Sequence, residues 1–381
     1  MKISPKRSFA VSARMSAAVA AQSAYTPGEQ PQGGGWIKLN TNENPYPPSP
    51  LVVAAIQREL GGDGASLRLY PSPKSAPLRL AAARFHGTNV ENVIVGNGSD
   101  DVLNLLARTF SDASRPVGML DPSYSLYPVL SGLCAASVRR VPVSIEGDFD
   151  ADAVAGCAAN IFFLTNPNAP LGTAFSREKI ESVLARFDGL LVVDEAYAPF
   201  ANADTTGLLS EYPNLVITRT FSKAYALAGM RVGYALASAE VIAALDRVRD
   251  SYNLDRLAQV AGAAALEDTA YYERTIATIK ATREATAAAL QGRGWRVLPS
   301  QANFLMVSPP SERSISSAPA AAALFQFLKE NKVLTRHFPQ NPLTAPFLRV
   351  SIGNDAEMAV FLDIADKWVA AGGAAQLASV S

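Results

Sequence analysis

Lys223 lies in the run Thr220-Phe221-Ser222-Lys223, just after a short apolar stretch, and Arg231 follows eight positions later. A lone lysine after a strand is ordinarily a solvated surface residue. Here the amine falls beside a hydroxyl and a guanidinium. An amine attacks an aldehyde carbon, and hydroxyl and cationic donors suit a phosphate. The set therefore fits a small molecule that carries both groups. Asp194 ends a second apolar stretch, in Val192-Val193-Asp194-Glu195-Ala196-Tyr197. By itself it reads as a solvated strand end or a helix cap.

Such residues need a rigid frame. Apolar runs at 93–95, 117–120, 161–164, 190–193, 215–218 and 232–236 are short and apolar on both faces. That is the pattern of strands in a parallel sheet buried on both faces. Helical patterns at 100–109 and 177–186 lie between them. The alternation predicts an α/β layered fold, which binds ligands at the carboxyl ends of its strands. The polar residues cluster there, at 96–101, 121–124, 165–168, 194–197 and 220–223. A helix is expected over 51–60, stopped by Gly61 and Gly62. Ala-rich helical sequence runs from 239 to about 290. Stretches 295–298, 303–307 and 347–352 read as strands of a smaller domain, and 308–320 as an exposed loop. The glycines at 33–35 mark a break, and the Pro/Asn-rich run at 40–48 is neither helix nor central strand.

With 381 residues, 49% of them apolar, the chain can build a large core without disulfides. Its 34 basic and 34 acidic residues balance, which argues against nucleic acid or an anionic membrane as main partner. Cys134 and Cys157 have no metal-ligand spacing and read as small buried residues. His86 and His337 are too few and too far apart for a metal site. No run of about 18 apolar residues predicts a membrane span. Residues 1–24 are basic, Ala/Ser-rich and free of acids, partly like a targeting peptide, but Arg14 interrupts the apolar run. They read as a mobile arm or short helix, in a cytoplasmic protein.

The ordered set of motifs resembles the fold-type I pyridoxal-phosphate (PLP) aminotransferases, and more narrowly the histidinol-phosphate aminotransferase family. The carriers are Asp194 with Tyr197, Ser222-Lys223 with Arg231, and Asn40-Thr41-Asn42-Glu43-Asn44-Pro45. Also included are Gly98-Ser99-Asp100-Asp101, Asp121-Pro122-Ser123-Tyr124, Asn166-Pro167-Asn168-Ala169-Pro170-Leu171-Gly172 and Leu348-Arg349-Val350-Ser351. The resemblance spans about residues 25–355. It implies an arm over 1–45 packed on the small domain. A large PLP-binding domain follows over 46–275, with a mainly parallel central sheet flanked by helices. A smaller α+β domain would occupy 276–381.

For the site, the resemblance implies that Lys223 bonds to the cofactor and later moves a proton on the substrate. Asp194 would pair with the ring nitrogen and keep it protonated. Tyr197 and Asn168 would face the ring's phenolic oxygen, and Tyr124 the ring face. The phosphate would sit on Gly98, Ser99 and Asp100, at a helix N-terminus, with Thr220, Ser222 and Arg231. Asp100 makes sense there as an N-terminal cap. Tyr70 would reach the phosphate of a partner subunit, so a homodimer with a shared site is expected. Arg349, Arg336, Asn44, Tyr25 and Asn253 would contact substrate. The implied reaction moves an amino group from histidinol phosphate to 2-oxoglutarate, in histidine biosynthesis. Aromatic aminotransferases and threonine-phosphate decarboxylases share the cofactor site and are the alternatives. A non-catalytic PLP-binding regulator lacks support, because residues 1–35 are too short and Gly/Ala-rich for a DNA-binding domain. Ala169 stands where the family commonly has an asparagine that bonds the phenolic oxygen.

Overall fold

The computed structural model describes residue 11 and residues 14–22, 28–310 and 317–373. Tyr25 lies outside the described residues, as do the first ten positions and 311–316. The strands are β1 (Ile37–Lys38), β2 (Val93–Gly96), β3 (Val117–Asp121), β4 (Val138–Pro142), β5 (Ile161–Thr165), β6 (Leu190–Asp194) and β7 (Leu215–Thr220). They continue with β8 (Gly233–Ala237), β9 (Arg296–Val297), β10 (Phe304–Ser308), β11 (Val333–Leu334), β12 (Arg336–His337) and β13 (Leu348–Ser351). The helices are α1 (Ala17–Ala20), α2 (Pro50–Leu60), α3 (Ala76–His86), α4 (Ser99–Phe110), α5 (Leu126–Leu133) and α6 (Ala151–Ala155). Then come α7 (Arg177–Leu184), α8 (Ala239–Asp246), α9 (Arg256–Glu267), α10 (Thr269–Gly292), α11 (Ala318–Glu330) and α12 (Asp355–Ala370).

The large sheet has the order β2-β8-β7-β6-β5-β3-β4. All neighbours pair in parallel except β8, which runs antiparallel to both β2 and β7. Leu191, Val193, Leu215 and Ile217 feed one apolar core, while Leu190, Val192 and Val216 feed another on the opposite face. Side chains alternate with period two, so a sheet covered on both sides has no polar face to show. That is why these strands are legible as unbroken apolar runs. β4 is not: Arg139 and Arg140 are exposed on it. It is the edge strand, where charge is tolerated and discourages pairing with another chain.

A second sheet, β12-β13-β10-β9, is antiparallel throughout. With α10, α11 and α12 it encloses its own core, including Phe304, Leu324, Phe361 and Trp368. β1 pairs in parallel with β11, which anchors the segment before residue 40 to this smaller unit. The boundary expected at 275/276 falls inside α10, which runs unbroken. Tyr272 near its start belongs to the large core, Ile279 and Leu290 to the small one, and Ile276 packs against both. One helix therefore serves both units. Its helical periodicity gave the sequence no break to read. The expected loop at 308–320 is also shorter, because Ala318 opens α11 under a Ser317 cap. Cys134 and Cys157 are free thiols and half-buried rather than buried. No described helix is long and apolar enough to cross a membrane.

Candidate active site

A cavity of about 630 Å³ opens at the carboxyl ends of β3, β5, β6 and β7. Lys223, Asp194, Tyr197, Tyr124, Ser99, Asp100, Thr220, Ser222 and Arg231 all line it, as do Arg336 and Arg349. Residues spread over 250 positions of sequence thus converge on one pocket because five strands end on the same side of the sheet.

At one end the N-terminus of α4 faces Arg231. Gly98 caps the helix with φ +86°, and a Cβ there would stand 2.5 Å from Arg231 Nη2. At Gly233 a Cβ would stand 2.3 Å from the backbone nitrogen of Ser99. Gly233 admits only glycine because the Ser99 backbone lies so close, and Gly98 favours glycine through its positive φ. Arg231 itself sits at φ +52°, a left-handed conformation that costs a non-glycine residue on the order of 1–2 kcal/mol. Arg231 Nη1 donates to Ser222 Oγ at 3.3 Å, and Ser222 N donates to Thr220 Oγ1 at 3.1 Å. Helix N–H groups, two hydroxyls and a guanidinium make an anion cradle. Asp100 is not the cap: its carboxylate takes Arg231 Nη2 at 3.2 Å and Tyr124 Oη at 3.1 Å. In the first helical turn a carboxylate also gains from the helix dipole.

At the centre, Asp194 closes β6 and is 3% exposed. Tyr127 Oη donates to its Oδ2 at 2.7 Å and Thr218 Oγ1 to its Oδ1 at 3.0 Å. Burial pushes the carboxyl up from its ordinary value, against the pull of those two hydroxyls. A carboxylate in that position is satisfied by a cation brought to it. Tyr127 sits on α5, whose interior positions carry no polar pattern, so its role escaped the sequence. Thr218 lies two residues before Thr220 and therefore on the same face of β7; that period was the available signal.

Lys223 is half-buried, and its Nζ donates to the Thr41 carbonyl at 2.8 Å. Burial lowers its pKa from 10.5 to about 8, with the Arg349 charge adding to the effect and Glu43 opposing it. Glu43 also lines the cavity and accepts from Lys38 Nζ at 2.6 Å. Arg336 and Arg349 are direct register partners on β12 and β13, so both guanidinium groups leave the same face. Phe338 packs against both, its ring centre 5.6 Å from Arg336 and 5.2 Å from Arg349. Arg349 Nη2 also donates to the Asn40 carbonyl at 3.0 Å.

Five expected contact residues among those described do not line this cavity, one of them Gly98, the cap of α4. Asn168 is buried, donating to Pro122 O at 3.2 Å and accepting from Leu171 N, so its amide holds the loop while Ala169 faces the cavity. Asn44 donates to the carbonyls of Lys223 and Ala224, which fixes the lysine's backbone. Asn253 donates to Val95 O at 3.0 Å and accepts from Arg249, tying the end of β2. Tyr70 is 79% exposed and stacks on Tyr252, with ring centres 4.5 Å apart. In the three asparagines, a polar side chain near a turn satisfies backbone groups. Conversely, Asn42 was named in a motif without a role, yet it lines the cavity and donates to Tyr197 Oη at 2.9 Å.

The donor set fits PLP: a half-buried amine, a buried carboxylate for a ring cation, a phenol and an anion cradle, all on one cavity. Fold and site together define a PLP-dependent aminotransferase of fold type I. The sequence model of Aminotransferase class I and II matches residues 34–364. Histidinol-phosphate aminotransferases are similar at higher resolution. That of Geobacter sulfurreducens is 46% identical over 89% of this chain and 95% of its own length; that of Synechocystis is 43% identical over 88% and 92%. The crystal structure of the Sinorhizobium meliloti histidinol-phosphate aminotransferase, in complex with pyridoxal-5'-phosphate, is 28% identical. It superposes with a TM-score of 0.78, covering 87% of this chain and 91% of that one. This chain belongs to the class I and II aminotransferases and, within them, to the histidinol-phosphate aminotransferase family.

Proposed function

We propose that the protein transfers the amino group of histidinol phosphate to 2-oxoglutarate, as a cytoplasmic homodimer in histidine biosynthesis. Arg336 and Arg349 carry this reading: two guanidinium groups from one strand pair face the cavity, separate from the cradle around Arg231. One cradle serves the cofactor's phosphate and the second pair serves the anionic group of the substrate.

Bound PLP supplies an aldehyde carbon for the amino group and a ring that withdraws electrons from the substrate α-carbon. Lys223 would hold the cofactor, and its amine would serve as the base at the substrate α-carbon. A pKa of about 8 leaves part of that amine neutral near pH 7, as a base must be. Asp194 would pair with the ring nitrogen and keep it protonated. Tyr197 would donate to the phenolic oxygen, and Tyr124 would cover the ring. Ser99, Thr220, Ser222 and Arg231 would hold the phosphate. Tyr70 would reach the same phosphate from a partner subunit; its exposure beside Leu67 and Leu69 supports a covered apolar surface there. Arm, large domain and small domain are the working units, with α10 as their shared strut.

The test is the absorbance of purified protein supplied with PLP. L-glutamate and histidinol phosphate should each bleach the visible band, and 2-oxoglutarate should restore it. Bleaching by glutamate and phenylalanine but not by histidinol phosphate would assign an aromatic donor instead.

A further inference from the structure

Asn42 is 1% exposed and holds φ +56°, a conformation asparagine tolerates better than most residues. Its backbone is held on both sides, and its side-chain oxygen is fixed by one hydroxyl. Ser351 Oγ donates to Asn42 Oδ1 at 2.9 Å and accepts from the Asn42 backbone N–H at 2.8 Å. Asn303 Nδ2 donates to the Asn42 carbonyl at 2.9 Å. With Oδ1 committed to the serine hydroxyl, Nδ2 must point the other way, where it meets Tyr197 Oη at 2.9 Å. The phenol oxygen accepts this bond, so the bond does not use the phenol's own proton. A phenol that accepts one hydrogen bond donates a stronger one. Ala169 lines the same cavity with only a methyl group, and the neighbouring Asn168 amide is committed to Pro122 and Leu171.

From this we infer that Asn42 is a positioning residue: the chain Ser351–Asn42–Tyr197 delivers, through the phenol, the amide donation that Ala169 cannot give to the cofactor's phenolic oxygen. The inference rests on the cofactor reading above. Residues from β13 and from the loop after β1 thereby tune a group held on the large sheet, and the smaller unit contributes to cofactor electronics as well as to substrate binding.

The readout is the pH midpoint of the visible spectrum of the PLP-loaded protein. A donor at the phenolic oxygen favours its anionic, proton-poor form, so losing the donor raises the midpoint. Asn42→Asp keeps shape and backbone freedom but turns a donor into an acceptor, which captures the Tyr197 proton. The midpoint should rise by roughly half a unit to one unit, the equivalent of one hydrogen bond. Tyr197→Phe should raise it too, and the double variant should rise no further than Tyr197→Phe alone. A simple charge effect of the new carboxylate would instead add in full in the double variant and overturn the relay. So would an unshifted Asn42→Asp beside a shifted Tyr197→Phe. If Asn42→Asp does not fold, Ser351→Ala decides: it frees Asn42 Oδ1 and should give a smaller rise, and no rise defeats the proposal. A wild-type band that glutamate bleaches separates any of these failures from failure of the cofactor assignment itself.

Discussion

Lys223 Nζ donates to the carbonyl oxygen of Thr41 at 2.8 Å, across 182 positions of sequence. The contact joins the turn after β7 to the loop after β1, and it presents the amine to the cavity. A backbone carbonyl accepts from the amine in either protonation state, so burial and the Arg349 charge decide the pKa, and they lower it.

Cofactor capture by the apoprotein should follow that titration. Below about 8 the Lys223 amine is an ammonium ion and cannot attack an aldehyde; above it the neutral amine can. The rate of visible-band formation should rise with pH to a plateau with its midpoint near 8, well below the 10.5 of an ordinary lysine. Stopped-flow absorbance with PLP measures it. A midpoint near 10.5 would mean the amine is not buried in solution. Lys223→Ala should form no band.

Asp194 and Tyr127 make a second pair. Tyr127→Phe removes the hydroxyl that stabilises the carboxylate, so the Asp194 pKa should rise further and its hold on a ring cation weaken. A hydrogen bond to a charged group is worth about 1.5–3 kcal/mol, so the glutamate half-reaction should slow about tenfold or more. Asp194→Asn removes the charge outright and should cost on the order of 10² or more. Single-turnover kinetics reads both. An unchanged Tyr127→Phe rate would make that residue a packing group only.

Arg336 and Arg349 share a face but need not share a ligand. Arg349→Ala should raise the KM for glutamate by about ten- to a hundredfold, the value of a charge-assisted contact. Arg336→Ala should penalise histidinol phosphate more than glutamate, and the ratio of the two kcat/KM values is the measurement. Equal losses for both donors from Arg336→Ala would remove it from substrate discrimination.

Beneath the sheet, Arg219 Nη2 lies 2.5 Å from Glu195 Oε2, with Asp204 2.8 Å from the same nitrogen. Glu195 also accepts from the Thr205 amide and hydroxyl, each at 2.7 Å. The pair locks the ends of β6 and β7, which carry Asp194 and Thr218. Removing one partner strands a buried charge, so Glu195→Ala should destabilise the fold by about 3–5 kcal/mol in urea unfolding. Replacing Glu195 and Arg219 together with apolar residues should recover much of that loss. A loss below about 1 kcal/mol for Glu195→Ala would mean water reaches the pair.

The strands of the large sheet are legible because burial on both faces demands apolar residues at every position, and hydropathy reads that directly. β4 escaped because an edge strand is allowed arginines. Lys223, Asp194 and Arg231 are legible because their types are chemically rare at strand ends and fall in a fixed order. For Asn168, Asn44 and Asn253 the sequence is ambiguous for a physical reason: a short amide beside a turn is as able to satisfy backbone groups as to meet a ligand, and its spacing does not say which it does.

The sequence by itself determined the α/β layering, the amine and carboxylate of the site and the cradle for an anion, since hydropathy, residue type and local spacing encode these. Tertiary structure alone decided that Arg336 opposes Arg349, that Tyr127 and Thr218 hold Asp194, and that Asn42 reaches Tyr197. Those contacts join residues far apart in the chain, and their register depends on how two sheets and a shared helix pack, which no local pattern records.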